Sequence, residues 1–280
     1  MRNKLTDELA VCGFNAVIAA AEFHPETINR LFLREDRLKN FTRICKNLAE
    51  RKRPYKLCGD EELERICKSS HHQGVVAMIQ APVTEALSPE ELEHWALEGK
   101  TGVVLHSVGN DHNLGAIVRS AAFFDAFYVV VSGEEPHQAA ETPSQEFAGR
   151  GPAPDAWLTT SAYRVAEGGM EHVAVRRVQN TAAFLKDASR LLVTIGAESR
   201  SRQRIRDLPY IVETQAKNLK PPSSGKRPGI ALVLGNEEAG LPKVVKDACS
   251  CLVRIPGTGM MESLNVAQAA AVFLHEIFEL

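Results

Sequence analysis

The sequence has little of what marks several large classes of protein. Its six cysteines include no Cys-x-x-Cys pair, so we expect reduced thiols and no metal site. Its apolar runs are far shorter than the ~20 residues that span a bilayer, so we expect no membrane helix. With 19 glycines and 14 prolines among 280 residues, collagenous and low-complexity chains are excluded. The N-terminus lacks a signal peptide's apolar core, so we expect a cytoplasmic protein.

An excess of positive charge is also lacking. The formal net charge is −2, which excludes a strongly basic nucleic-acid protein but not a locally basic one. The charges are unevenly distributed: residues 1–82 hold 14 Lys and Arg against 11 Asp and Glu, whereas the remainder holds 19 against 24. The N-terminal part is therefore the more cationic one.

The length and the order of patterns predict two α/β domains. The first, residues 1–82, reads as a compact module, and residues 83–100 read as a linker with a short helix after Ser88-Pro89. The predicted elements of the module are a helix over 8–23, a strand over 28–33, a helix over 37–53, a strand over 54–57, a helix over 60–68 and a strand over 74–79.

Residues 101–280 alternate near-continuously apolar strands with helices, which predicts a parallel sheet covered on both faces. Two polar insertions, 133–155 and 214–229, read as mobile surface loops. The predicted strands are 103–108, 127–131, 173–178, 191–195, 230–234 and 251–255.

Such a sheet suggests a nucleotide cofactor, yet the sequence lacks a Gly-x-Gly-x-x-Gly fingerprint after the first strand of this domain and any Walker sequence. Instead, three polar segments punctuated by glycine follow strands, at 109–121, 234–241 and 255–267. Ligands of open α/β sheets bind outside the carboxyl ends of the strands, so these segments could share one site.

Taken singly, each segment also has a structural interpretation. Asn113 and Asn265 could cap helices, and Gly235 and Gly240 could make turns. Arg119 lies within the opening turns of an apolar helix, where either an exposed solvated arginine or a buried paired one fits.

Taken together, the three segments resemble the motifs of the SpoU-type, trefoil-knotted RNA ribose 2′-O-methyltransferases. The matching residues are Asn113, Gly115 and Arg119 in the first segment, Gly235, Glu237, Gly240 and Leu241 in the second, and Ile255, Pro256, Gly259, Ser263, Leu264, Asn265 and Val266 in the third. The likeness extends to the N-terminal module, because 13–17 and 72–75 are similar to the ends of a ribosomal-protein-like RNA-binding domain found in front of many family members.

This resemblance implies a Rossmann-like parallel sheet in which residues 230–280 thread through a loop to form a knot. It implies that S-adenosylmethionine lies in the knot and that two subunits pair through this domain, an expectation that an apolar stripe on the last helix also supports. The stripe comprises Leu264, Ala271, Leu274 and Phe278. The implied cofactor-binding residues are Leu234, Gly235, Ile255, Gly259 and Leu264.

The implied reaction is attack of a ribose 2′-hydroxyl of tRNA or ribosomal RNA on the methyl group of the cofactor. Arg119 either accepts the proton with help from a substrate phosphate, or binds that phosphate while another group takes the proton. The residues implied to orient Arg119 are Asn113, Glu237, Ser263 and Asn265. The alternative is a knotted RNA-binding protein with weak or no methyl transfer. The chain departs from the usual family pattern at Gly257, Ala267, 124–125 and 167–170.

Two basic clusters are candidate contacts for structured RNA. Between Arg30 and Arg53 nine basic residues face three acidic ones, with Arg30 and Arg34 the first of them, although a solvated helix face explains them too. The second cluster, whose like charges repel unless an anion is near, comprises Arg200, Arg202, Arg204 and Arg206.

Overall fold

Two β-sheets follow one another along the chain, the first built from residues 2–80 and the second from residues 85–254. A computed structural model of the protein describes residues 2–3, 6–132, 157–219 and 226–280. None of the helices within these ranges is long and apolar enough to cross a membrane.

The N-terminal sheet has five strands in the order β1-β2-β5-β3-β4. Its pairings are antiparallel except for β3 with β4. The strands are Arg2–Asn3 (β1), Glu8–Cys12 (β2), Ile28–Leu33 (β3), Tyr55–Leu57 (β4) and Val75–Gln80 (β5). The helices are Phe14–Phe23 (α1), Leu38–Glu50 (α2) and Asp60–Cys67 (α3). The prediction of an α/β module is confirmed here.

One predicted element of this module is wrong. Residues 8–23 do not form one helix, because β2 occupies the first five positions and α1 begins only at Phe14. All five residues of β2 are buried, so both faces of the strand are covered and its mostly apolar pattern cannot be told from that of a buried helix. Gly13, at φ 103°, separates the two elements in a backbone conformation that favours glycine.

The second sheet has eight strands, and every pairing between them is parallel. The strands are Glu85–Ala86 (β6), Thr101–Leu105 (β7), Ala126–Ser132 (β8), Ala174–Val178 (β9), Val193–Ala197 (β10), Gln203–Arg204 (β11), Ile230–Leu234 (β12) and Cys251–Arg254 (β13). They lie in the order β11-β13-β10-β12-β7-β8-β9-β6. The predicted parallel sheet is confirmed, and 230–234 has the predicted bounds.

The helices around this sheet are Pro89–Glu98 (α4), Asp111–Phe123 (α5), Thr160–Ala166 (α6), Thr181–Ala188 (α7), Leu208–Ala216 (α8), Lys243–Ala248 (α9) and Val266–Phe278 (α10). As predicted, α4 begins after Ser88, whose side chain accepts a hydrogen bond from the backbone N–H of Glu91 in a capping box. Two apolar clusters, one on each face of the sheet, bury its strands.

Helices α5 and α6 pack unusually closely. A Cβ atom placed on Gly115 would lie 2.6 Å from the carbonyl oxygen of Ala162 and 2.8 Å from Cβ of Val165. Only a residue without a side chain allows this approach. The contact fixes the C-terminal end of α6 beside α5.

The two predicted mobile loops have different outcomes. The first, 133–155, lies outside the described residues. The second, 214–229, begins too early, since residues 214–216 continue α8, whereas 217–219 and 226–229 are neither helix nor strand. Arg227 is also anchored: its guanidinium donates to Thr101 Oγ1 at 2.9 Å and to the carbonyl oxygens of Gly99 and Ile277.

Candidate active site

The three motif segments leave the second sheet at one edge. They follow β7, β12 and β13, and because these strands are parallel their carboxyl ends point the same way. The turn after β12 is fastened to the segment after β7, since Asn236 Nδ2 donates to the carbonyl oxygen of Ser107 at 3.0 Å. The segments are therefore held together before any ligand is considered.

Three predicted site residues, one from each segment, form a chain of hydrogen bonds. Asn265 Nδ2 donates to Asn113 Oδ1 at 3.1 Å, and Asn113 Nδ2 donates to Glu237 Oε1 at 2.6 Å. We call Asn265, Asn113 and Glu237 the amide triad. Both polar ends of the Asn113 amide are engaged, so its orientation is fixed by its neighbours.

Of the two asparagines predicted as possible helix caps, Asn265 caps a helix and Asn113 does not. Asn265 is the N-cap of α10, where its Oδ1 accepts from the backbone N–H groups of Ala267 and Gln268. Asn113 does not cap α5, because Asn110 occupies that position. Asn265 thus serves the helix with its oxygen and the site with its nitrogen.

The glycines of the second segment make a tight turn. A Cβ on Gly235 would lie 2.4 Å from the carbonyl carbon of Gly240, so the chain folds back on itself there. Asn236 Oδ1 accepts from the backbone N–H groups of Glu238 and Ala239 inside this turn. The turn interpretation of Gly235 and Gly240 is therefore correct, and it aims Glu237 at Asn113.

The residues predicted to bind a cofactor differ in accessibility. Leu234 is buried, and its carbonyl oxygen accepts from the backbone N–H of His106 at 2.8 Å. Ile255 packs partly buried against the core, whereas Leu264 is exposed, as is Ser263, which was predicted to orient Arg119. Gly259, at φ 85°, borders open space.

The ion-pair partner of Arg119 is none of the residues predicted to orient it, which are Asn113, Glu237, Ser263 and Asn265. Arg119 lies on α5 with its side chain 59% exposed, and its Nη1 is 3.5 Å from Glu167 Oε1. Glu167 Oε2 in turn accepts a hydrogen bond from Asn15 Nδ2 on α1 at 3.0 Å. Neither Glu167 nor Asn15 is a predicted site residue, and the available signal was the pair of glycines that follows Glu167, at one of the departures from the family pattern.

A second contact joins α1 to the segment after α6. His24 Nε2 lies 3.4 Å from Glu171 Oε2, and the Phe23 and His172 rings are in edge-to-face contact. Burial raises the pKa of the Glu171 carboxyl, and the charge of Glu26 raises it further while that of His24 lowers it.

Models of protein families match nearly the whole chain. The SpoU rRNA Methylase family matches residues 100–275, and the RNA 2′-O ribose methyltransferase substrate-binding family matches residues 10–84. The chain belongs to the SpoU rRNA methylase family. The resemblance seen in its motifs is thereby confirmed, as is the prediction of an RNA methyltransferase that uses S-adenosylmethionine.

Relatives and solved structures of this family are similar over almost their full lengths. The 23S rRNA (guanosine-2′-O-)-methyltransferase RlmB of Nitrosomonas europaea is 28% identical over 276 residues, covering 98% of this chain and 92% of the relative. The putative TrmH family tRNA/rRNA methyltransferase YacO of Bacillus subtilis is 26% identical over 273 residues, covering 96% and 94%. The AdoMet-bound rRNA methyltransferase from Sinorhizobium meliloti shares the fold with a TM-score of 0.69 at 20% identity, covering 97% of this chain and 87% of that one.

The two basic clusters of this SpoU protein are partly neutralised. Arg30 pairs with Glu8, and the Arg34 guanidinium contacts both carboxylate oxygens of Asp36 at 2.9 Å and those of Asp60 at 3.1 and 3.2 Å. In the other cluster Arg200 and Arg202 are exposed, while Arg204 is half-buried on the edge strand β11. Other exposed basic side chains of the small domain are Lys39, Arg43 and Lys46 on α2 and Arg51 and Lys52 after it.

Proposed function

We propose that the protein transfers the methyl group of S-adenosylmethionine to a ribose 2′-hydroxyl of RNA. The observation that carries this proposal is the amide triad, because it joins side chains of three separate motifs at the carboxyl edge of a parallel sheet. Family membership supplies the reaction class. The finer substrate we propose is ribosomal RNA, which the name of the N. europaea relative specifies, and the site of action is the cytoplasm.

The segments after β12 and β13 suit a cofactor held largely by main-chain groups. A Cβ on Gly240, Gly257 or Gly259 would meet only open space, so the backbone there is accessible to a ligand. Met260 and Leu264 add exposed apolar side chains that suit an adenine ring. When bound, S-adenosylmethionine supplies an electrophilic methyl group on a sulfonium. In this proposal 230–280 also form the knot expected of the family.

Arg119 supplies the positive charge that the other substrate needs. Its guanidinium is exposed, and the planar guanidinium group suits bidentate contact with a phosphate. A cation beside a hydroxyl favours the deprotonated form, so Arg119 would bind the phosphate next to the target ribose and favour loss of the 2′-hydroxyl proton, which would pass to a phosphate oxygen or to water. The amide triad would orient that substrate beside the cofactor.

RNA would approach through the exposed Lys39 and Lys46 of α2, whereas Arg43 on the same helix pairs with Glu22, and through Arg200 and Arg202. Arg30 and Arg34 are committed to carboxylates within their own domain, so we assign them a smaller share of phosphate binding than their sequence position suggests. Binding that depends on such side chains weakens steeply with salt.

We also propose that two copies pair through the last helix and the end of α5. The predicted stripe needs two corrections, because Leu264 lies before α10, and Leu274 is only 1% exposed and belongs to the protein's own core. Phe278 is exposed, its ring lies 6.0 Å from that of Phe124, and Phe123 beside it is 80% exposed. Such an apolar patch favours association, and sedimentation should show a species of twice the 30.7 kDa chain mass.

The experiment that tests the function uses purified protein, S-adenosylmethionine and two probes, an unmodified 23S rRNA transcript and unmodified tRNA transcripts. Mass spectrometry of the digested RNA should find a 2′-O-methylated nucleoside in the rRNA, and Arg119→Ala should yield none. Methylation of tRNA alone would correct the substrate. RNA binding without methylation of either probe would contradict the proposal and favour the RNA-binding alternative.

A further inference from the structure

The turn formed by residues 167–169 lies between α1 of the first domain and α5 of the second. A Cβ on Gly168 would lie 2.9 Å from Cβ of Ala19 in α1, whereas a Cβ on Gly169 would lie 3.2 Å from Cα of Arg119 in α5. Consecutive glycines therefore let one turn touch the RNA-binding domain on one side and the helix of Arg119 on the other. The turn therefore contacts both α1 and the backbone beside Arg119.

The side chain of Glu167 also contacts both the RNA-binding domain and Arg119. One carboxylate oxygen faces the Arg119 guanidinium at 3.5 Å, and the other accepts a hydrogen bond from Asn15 at 3.0 Å. The close packing of α6 on Gly115 holds the backbone of this turn in place. The carboxylate thus joins a residue of the first domain to the proposed catalytic arginine of the second.

Stability does not account for a glutamate at this position. Glu167 caps α6 at φ 47° and ψ 43°, in the left-handed region where glycine is favoured and a longer side chain is strained. In its ion pair with Arg119, the arginine side chain is 59% exposed and the glutamate side chain 33%, and pairs open to solvent contribute little to folding. A strained residue that stabilises little indicates a role for its side chain.

We propose that Glu167 is a positioning residue, which holds the Arg119 guanidinium in its active orientation and links that orientation, through Asn15, to the docking of the RNA-binding domain. The inference rests on the proposed function, in which Arg119 acts on the RNA. A guanidinium carries five N–H donors, so the contact with Glu167 leaves others for a phosphate and a hydroxyl. Because displacement of a catalytic group by about 1 Å can cost a hundredfold in rate, a carboxylate that fixes the guanidinium matters for turnover.

The test compares Glu167→Gln, Glu167→Gly and Asn15→Ala in the full-length protein. We measure single-turnover methylation of the unmodified 23S rRNA transcript, the dissociation constants for that RNA and for S-adenosylmethionine, and the melting temperature. Glu213→Gln is the matched control, since Glu213 forms an exposed ion pair of 3.8 Å with Lys217 on α8.

We expect Glu167→Gln and Glu167→Gly to lower the single-turnover rate about tenfold, with both dissociation constants within twofold of wild type. Glu167→Gly should leave the melting temperature unchanged or raised, because glycine relieves the left-handed strain. Loss of rate without loss of stability is a result that a purely structural glutamate cannot give. Glu213→Gln should match wild type in every measurement.

Asn15→Ala should lower the rate by a smaller factor, about threefold, and add nothing when combined with Glu167→Gln, because both changes break one connection. Full rates for both Glu167 variants, with an active wild type, would overturn this inference and leave the proposed function intact. Additive losses from Asn15→Ala and Glu167→Gln would overturn the link to the RNA-binding domain. An inactive wild type on both RNA probes would contradict the proposed function and this inference with it.

Discussion

Two groups of side chains surround the proposed reaction centre, and they are built differently. The amide triad takes its members from three motifs: Asn113 lies in the first turn of α5, Glu237 in the turn after β12, and Asn265 caps α10. The group around Arg119 takes its partners, Glu167 and Asn15, from outside the motifs and from both domains. The comparison teaches that motif residues can be positioned locally, whereas the orientation of the arginine depends on how the domains pack.

Substitution of Arg119 should have the largest effect on the rate of methyl transfer. Arg119→Ala should lower methyl transfer by about 10² to 10⁴, because the positioned charge that activates the hydroxyl is lost. Binding of S-adenosylmethionine should be unchanged, since a guanidinium does not attract a sulfonium of the same charge. Arg119→Lys should restore little, as a point charge does not reproduce the bidentate geometry.

Single-turnover assays on the unmodified 23S rRNA transcript, together with calorimetric titration of the cofactor, measure both quantities. Activity of Arg119→Ala within a few-fold of wild type would assign Arg119 to the structure of α5 alone, and the contrast between the two groups would then disappear.

A second prediction separates the two roles of Asn265 in the amide triad. Asn265→Asp keeps an oxygen to cap α10 but removes the nitrogen that donates to Asn113. If the Asn113 amide flips to donate to the new carboxylate, its oxygen then faces Glu237, so one contact is always lost. The lost contact frees Asn113 or Glu237 to move, and a displacement of about 1 Å at a catalytic site can cost a hundredfold, so we expect a rate about tenfold to a hundredfold lower.

The melting temperature of Asn265→Asp should stay near that of wild type, because aspartate is as good an N-cap as asparagine and its charge suits a helix N-terminus. Asn180→Asp is the matched control, since Asn180 caps α7 in the same way. A full rate for Asn265→Asp would mean that the triad only assembles the fold.

The sequence predicted the parts of the site that follow from periodicity and motif order. Parallel strands such as 230–234 are apolar throughout and end in polar residues, so their shared edge is visible before the structure is known. The strand 8–12 was missed because its buried pattern also fits a helix. Glu167 was missed because its partners lie 48 and 152 positions away and no local pattern pairs them.

The third prediction changes the distance between α5 and α6. Gly115→Ala places a methyl group within 2.6 Å of the Ala162 carbonyl oxygen, and neither backbone can yield without moving a helix. Overpacking of this kind costs about 1–3 kcal/mol, although alanine's better helix propensity offsets part of it. We expect a lower midpoint in thermal or denaturant unfolding, and a reduced methylation rate because Glu167 at the end of α6 moves from Arg119.

Gly109→Ala serves as the comparison for stability, since a Cβ at Gly109 would meet nothing within 4 Å and Gly109 caps no helix. Equal stabilities of the two variants would show that the helices separate freely, which contradicts a rigid link from α6 to Arg119.

The smallest expected effect concerns Glu171, which contacts His24 across the domain boundary. Burial raises the pKa of its carboxyl above the ordinary value of 4.5, so the folded state binds more protons than the unfolded state. The stability this carboxyl contributes is therefore complete below pH 4.5 and is lost as the pH rises through the raised pKa.

Glu171→Gln cannot lose stability in this way, because its amide does not ionise. The melting temperature of the variant should exceed that of wild type by a few degrees at pH 7.5, and the difference should shrink as the pH falls toward 4.5. The exposed Glu93→Gln should show no such trend. A lower melting temperature for Glu171→Gln at pH 7.5 would instead show that attraction to His24 outweighs burial, and that charge, as well as packing, holds the RNA-binding domain against the turn beside Arg119.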